Sequence, residues 1–326
     1  MIKIMIFAVL LAVILAGCSA GSPTIKVVKI NQTNTSPQVN VTPIVPAINV
    51  SQNVTSNITA NLSSNSSLNL SQNASLSNVS APEPLKNMTV EFIDLVGNSI
   101  LIKSPSSEKI LIDGGDNSDG LKIIKYIMSK GIYRFDYVFN SNPEIKNVGG
   151  LASIMFNFNN SQAYYSGLNY SVNDNIPYMH FINYAKAYSK PAISIDNNQE
   201  FDLGGGAKLA AFVPYEGRNA SSDPKDDTIV FKLEYADATF LFLGDCTTQA
   251  CFDKLSENDL KADVLKVNGY ISEDAIEKIS PKIIVYDKIN NDTVKPAGVK
   301  VYSKDDGTVL IMSDGSKYFI STTGKA

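Results

Sequence analysis

Histidine is almost missing from this chain: 326 residues hold one, His180, with no tryptophan and three cysteines. A single imidazole cannot furnish a His-rich zinc centre, which takes clustered nitrogens with thiolates or carboxylates. Three cysteines are too few for a disulfide scaffold. Charge is sparse too, at 18% of residues and a formal net charge of -4. That balance disfavours a broad nucleic-acid-binding surface. From Asn31 to Pro82 no residue is charged. This stretch is built from Asn, Ser, Thr and Gln with scattered Val, Ile or Leu, and holds no helical or strand period. It cannot bury enough apolar surface to offset its ordering entropy, so a disordered stalk is expected there.

What is present begins with an address. Lys3 precedes the apolar run Ile4 to Ala16, then Gly17-Cys18-Ser19-Ala20. The run is shorter than the roughly 20 residues that cross a bilayer comfortably and suits a secretory signal. Leu15-Ala16-Gly17-Cys18 resembles the lipobox of bacterial and archaeal lipoproteins, which implies cleavage after residue 17 and lipid on Cys18. An uncleaved signal anchor is the alternative. Either would tether the chain to a membrane and place it at the cell surface, outside the cytoplasm.

The charge-free stretch lies within a low-complexity linker over residues 18–87. It carries N-x-S/T sequons at Asn31, Asn34, Asn40, Asn49, Asn53, Asn57, Asn61, Asn65, Asn69, Asn73 and Asn78, with Asn87 just beyond. One sequon is weak evidence, but a dozen in succession on a secreted chain reads as an N-glycosylated stalk. A plain linker is the simpler alternative. Such sequon density in a lipoprotein resembles archaeal surface proteins.

From Met88 to residue 326 the pattern becomes globular. Val90 to Leu95, Ser99 to Lys103 and Lys109 to Asp113 read as strands, with Gly97-Asn98 and Ser104-Pro105 as turns. Asp113-Gly114-Gly115 leads to a helical run near Gly120 to Ser129. The stretch Phe135 to Leu151 reads as a strand, a Pro-bearing loop and a helix opened by Gly149-Gly150. Tyr178 to Tyr188 has helical spacing. Glu200 to Leu209 reads as a glycine-turn hairpin, and Asp226 to Tyr235 pairs with Ala238 to Asp245.

Phe92-Ile93-Asp94-Leu95, Ile110-Leu111-Ile112-Asp113-Gly114-Gly115, Gly149-Gly150-Leu151, Leu243-Gly244-Asp245 and Leu260 to Val267 occur in an order that resembles the metallo-β-lactamase superfamily. The opening is most similar to its ComEC-like competence-protein branch. The resemblance implies an α/β fold, a four-layer αββα sandwich, and a two-metal hydrolase cleft holding Zn or Mn. Set against the family's H-x-[H/D]-x-D-H-x-G-G-L loop, the ligand slots here hold Asn142, Glu144, Lys146 and Asn147. Gly269 and Tyr270 fall where late histidines are implied, Asp245 at the metal-bridging position, and Asp113 at a supporting one. A neutral amide is a far weaker zinc ligand than imidazole, and an ammonium has no lone pair to offer.

The reading is therefore a domain with degenerate metal motifs, no assigned catalytic residue and no cofactor. Lys146 is expected to pair with Asp245. His180 is expected to be partly buried and hydrogen-bonded, and the Asp-rich stretch 223–227 to be a solvated loop. Cys246 and Cys251 allow either a short disulfide or two free thiols. The expected role is binding of a surface protein, a polymer or a small ligand. One alternative is a metal-dependent phosphodiesterase or nuclease using Glu144, Asp245, Asp113 and Asn142. Another is a structural head of the cell envelope.

Overall fold

The computed structural model describes residues 86–324, apart from 171–175, 216, 218 and 256. The signal segment, Cys18 and the sequons from Asn31 to Asn78 lie outside the described residues. Asn87 is described and is exposed, one residue before the first strand.

The first half runs β1 (Met88–Phe92), β2 (Ile100–Lys103), β3 (Lys109–Ile112), helix α1 (Gly120–Ser129) and β4 (Arg134–Phe139). Two short helices follow, α2 (Ile145–Val148) and α3 (Leu151–Asn157), then β5 (Asn159–Tyr165), helix α4 (Ile176–Tyr188) and β6 (Ile193–Ser194). The second half opens with β7 (Gln199–Asp202), β8 (Ala207–Phe212), β9 (Val230–Tyr235) and β10 (Ala238–Gly244). It continues through helix α5 (Gln249–Lys254), β11 (Val264–Val267), helix α6 (Glu273–Ile279), β12 (Ile283–Tyr286) and β13 (Lys300–Ser303). Strands β14 (Val309–Ser313) and β15 (Tyr318–Thr322) close the chain.

These strands form two sheets, in the orders β15-β14-β1-β2-β3-β4-β5-β6 and β13-β12-β11-β10-β9-β8-β7. Each sheet is antiparallel on one side and parallel on the other. Strands β3 to β6 run parallel in the first sheet and β10 to β13 in the second. Parallel neighbours need crossovers, which helices supply except between β12 and β13, where an irregular segment makes the connection.

The period of two in the strands builds the layers. In β10, Ala238, Phe240 and Phe242 enter the core between the sheets, while Leu241 and Leu243 enter the core beneath the outer helices. In β12, Ile283 and Val285 face inward and Ile284 and Tyr286 outward. Helix α1 follows the helical period, burying Ile123 and Ile127 one turn apart against the other face of the first sheet. Two sheets face each other across one core, and each carries helices over a second core on its outer face. This is the four-layer αββα sandwich.

Three local expectations are corrected. The glycine pair does open a helix, with Gly150 as the N-cap of α3, but the stretch before it that reads as loop forms a helical turn of its own, α2. The stretch from Asp226 is not yet strand: residues 224–227 form a 3-10 turn before β9. Nor is the stretch 223–227 solvated throughout: Asp223 and Lys225 are exposed, but its last residue is not. Asp227 is fully buried and accepts hydrogen bonds from Tyr170 Oη, Ser221 N and Ser221 Oγ at 3.0, 2.7 and 2.6 Å.

Candidate functional site at the strand ends

Parallel strands end together, and their following loops make a cleft at that edge. Here the ends of β3 and β4 in one sheet meet those of β10 to β12 in the other. The loop after β4 is held in place by close backbone contacts. A Cβ at Gly150 would strike the carbonyl of Gly114, and one at Gly149 the backbone of Asn117 and Asp116. Only glycine lets these segments pass so near.

On that scaffold, Asn142 and Asn147 are buried and aim their amides at one carboxylate. Asn142 Nδ2 donates to Asp245 Oδ2 at 3.0 Å and to Thr228 Oγ1 at 2.9 Å. Asn147 Nδ2 donates to the same Asp245 oxygen at 2.7 Å and to Asn142 Oδ1 at 2.6 Å. Asn142 Oδ1 also accepts from the Glu144 backbone N–H at 2.9 Å. Helix α2 is a single turn, so adjacent residues point about 100° apart. Asn147 faces in and Lys146 faces out, exposed, and among the described residues no ion pair joins Lys146 to Asp245. The expected Lys146–Asp245 pair is thus replaced by amide donors.

Asp113 lies just past β3 and is buried with a left-handed backbone, φ 64°. Its Oδ1 accepts from Ser141 N at 2.8 Å and Asn140 Nδ2 at 3.3 Å, and its Oδ2 accepts from Ser141 Oγ at 2.7 Å. Burial pushes its carboxyl up to about 7; Asp245 adds to the rise and the hydrogen bonds from Ser141 and Asn140 oppose it. Burial also raises half-buried Glu144, with Asp245 adding to it. Ser141 and Thr228 are themselves buried and spoken for, so neither hydroxyl is an open nucleophile.

Sequence reasoning missed a second group alongside. Lys266 on β11 is buried and donates to Asp287 Oδ1 at 2.6 Å, Asn268 Oδ1 at 2.7 Å and the Val267 carbonyl at 3.1 Å. Lys304, also buried, reaches the same Asp287 oxygen at 3.0 Å and donates to the Gly97 carbonyl at 2.7 Å. Burial lowers the Lys266 ammonium, with Asp287 opposing. Burial alone would raise Asp287, but the two ammoniums outweigh it and hold it below the usual carboxylate range. Asn98 links the two groups. In one amide orientation it donates to Asn147 Oδ1 at 2.7 Å; turned over, it donates to Asp287 Oδ1 at 3.0 Å and accepts from Asn268 Nδ2 at 2.9 Å.

The signal for Lys266 was in the sequence, as a cation inside the apolar run Val264-Leu265-Lys266-Val267. Lys304 carried no such signal, since its partners lie far away along the chain. Tyr270 is 62% exposed on the rim, and Gly269 beside it meets nothing where a Cβ would stand. His180 is exposed on α4, its ring 6.4 Å from that of Tyr184, and so is not the partly buried histidine expected. Cys246 and Cys251 are joined by a disulfide next to Asp245, with Cα atoms 5.5 Å apart.

These residues do not fit a pair of metal ions. Asp245 faces two amide donors, Asn142 Oδ1 is taken by the Asn147 amide and the Glu144 backbone N–H, and the nearby cations are ammoniums. Among the described residues, no group of three or more His, Cys, Asp and Glu side chains is placed to hold a metal.

Fold and site together define an αββα α/β protein with a polar, amide-lined cleft. No protein-family model matches the chain, and no curated protein matches it. Solved structures do resemble it. A metallo-β-lactamase with the HARLDQ motif from Cronobacter sakazakii is 17% identical over 55% of this chain and 76% of its own, with TM-score 0.38. A diphosphatase of the PhnP family is 13% identical over 70% of this chain and 98% of its own, with TM-score 0.44. A metal-dependent hydrolase of the β-lactamase superfamily is 16% identical over 66% and 95%, with TM-score 0.41. The neighbours are metallo-β-lactamase superfamily structures, and the likeness is one of fold.

Proposed function

We propose that the chain is a lipid-anchored surface protein whose sandwich domain binds a partner at the cleft without hydrolysing it. The observation that carries this is the pair of amides, Asn142 and Asn147, donating to one oxygen of Asp245. An arrangement that spends its carboxylate on N–H donors is built to be satisfied internally. Around it the rim is open: Lys146 is exposed, Ile145 is 46% exposed and Tyr270 is 62% exposed. Exposed aromatic and basic side chains on a rigid scaffold are the usual material of a binding surface. Fold does not fix chemistry, so the likeness to hydrolases leaves this reading intact.

Binding is tested by cross-linking the full chain on cells, with wild type compared against Tyr270→Ala and Lys146→Asp. Specific partners, lost in both rim variants while folding is unchanged, are expected. Phosphodiester cleavage that follows added Zn²⁺ or Mn²⁺ and stops on chelation would contradict it.

A further inference from the structure

The outer helical layer carries an aromatic groove that the cleft does not account for. Helix α3 buries Leu151, Ile154 and Met155, and turns Ala152, Ser153 and Phe156 outward. Helix α4 buries Tyr178, Phe181 and Ala185, which sets His180, Tyr184 and Tyr188 in a stripe four residues apart on another face. The two outward faces enclose an open groove of about 340 Å³. It is lined by Ala152, Ser153, Phe156 and Asn157 from α3 and by His180 and Tyr184 from α4. Phe156 is 57% exposed and Tyr188 53%. Phe156 packs edge to face with Tyr188 at 5.0 Å and with Tyr184 at 6.3 Å, and Tyr184 and Tyr188 lie tilted to each other at 5.3 Å. Scattered exposed apolar residues are normal on any surface, whereas a contiguous ring cluster marks an interaction site.

We propose that this groove binds a neutral carbohydrate, with a pyranose ring laid against Phe156 and Tyr184. Its size falls in the range of small-ligand pockets, about 300–1,000 Å³. Neither Lys, Arg, Asp nor Glu lines it, so neither a phosphate nor an ammonium ligand finds a counter-charge. An uncharged lining of aromatic rings and polar side chains, with the Ala152 methyl as its one aliphatic side chain, suits a sugar's C–H face better than a branched apolar side chain. The Ser153 hydroxyl, Asn157 amide, His180 imidazole and Tyr184 hydroxyl then meet the hydroxyl rim.

The test uses the full chain in a detergent without sugar headgroups, titrated with a panel of neutral hexose and N-acetylhexosamine disaccharides. Binding is followed by calorimetry and saturation-transfer NMR. Saturable binding is expected for at least one probe, weakened tenfold or more by Phe156→Ala and by Tyr184→Ala, and unchanged by Lys146→Asp at the cleft rim. Phe156 is exposed, so its variant is expected to keep the wild-type circular dichroism. Repeating the titration after enzymatic deglycosylation distinguishes two sources of the same chemistry. Tighter binding means sugars on this chain compete for the groove, and unchanged binding means the ligand is external. No binding by any probe, binding indifferent to both ring variants, or self-association abolished by Phe156→Ala would overturn the proposal.

Discussion

Asp245, itself half-buried, accepts two amide hydrogens at one oxygen from donors that are buried. Removing one donor leaves a partly buried carboxylate short of a partner and strands the other groups that Asn147 serves. Asn147→Ala is expected to lower stability by about 1–3 kcal/mol in urea unfolding. Lys146→Ala, one residue away on the exposed side, is expected to change it by under about 0.5 kcal/mol. Asp113 titrates in the opposite sense from most native carboxylates. Its native pKa, about 7, lies above its ordinary 3.8, so the folded chain keeps a proton that the unfolded chain has released. Stability from this group is complete below the ordinary value and is lost as pH rises toward 7. Urea midpoints measured from pH 4 to pH 8 are expected to fall over that window. Asp113→Asn is expected to flatten the fall.

At the scale of elements, the helices and strands were written in the period of their apolar residues. Strand β10 is legible as a nearly unbroken apolar run because each of its faces meets a core. Two things were not legible. Whether Lys146 or Asn147 faces Asp245 depends on the rotation of one helical turn, which no pattern of four residues defines. The Lys266–Asp287–Lys304 group joins three strand ends brought together only by the crossovers of the second sheet. Asp287 is the shared partner, so Asp287→Asn leaves two buried ammoniums facing each other, at a cost of about 3–5 kcal/mol. Lys266→Met, which leaves Lys304 to hold Asp287, is expected to cost clearly less in the same unfolding assay. Gly150→Ala forces a Cβ into the Gly114 carbonyl. Faster amide exchange across residues 114–117 and 145–150 is expected, with β10 to β12 unchanged.

The whole domain is held by three apolar cores, one between the sheets and one beneath each helical layer. None of them depends on a cation, and burial of this kind sustains a sandwich by itself. What the strand ends add is a polar network that satisfies its own charges. The thermal midpoint is therefore expected to stay within about a degree when a strong chelator is added. The most direct measurement is the metal content of the full chain by elemental mass spectrometry, after loading with Zn²⁺ and Mn²⁺ and exhaustive dialysis. Background metal is the result expected from amides and ammoniums at the strand ends. Near-stoichiometric metal, lost on changing Asp245→Ala, would contradict the account and return the cleft to hydrolytic chemistry.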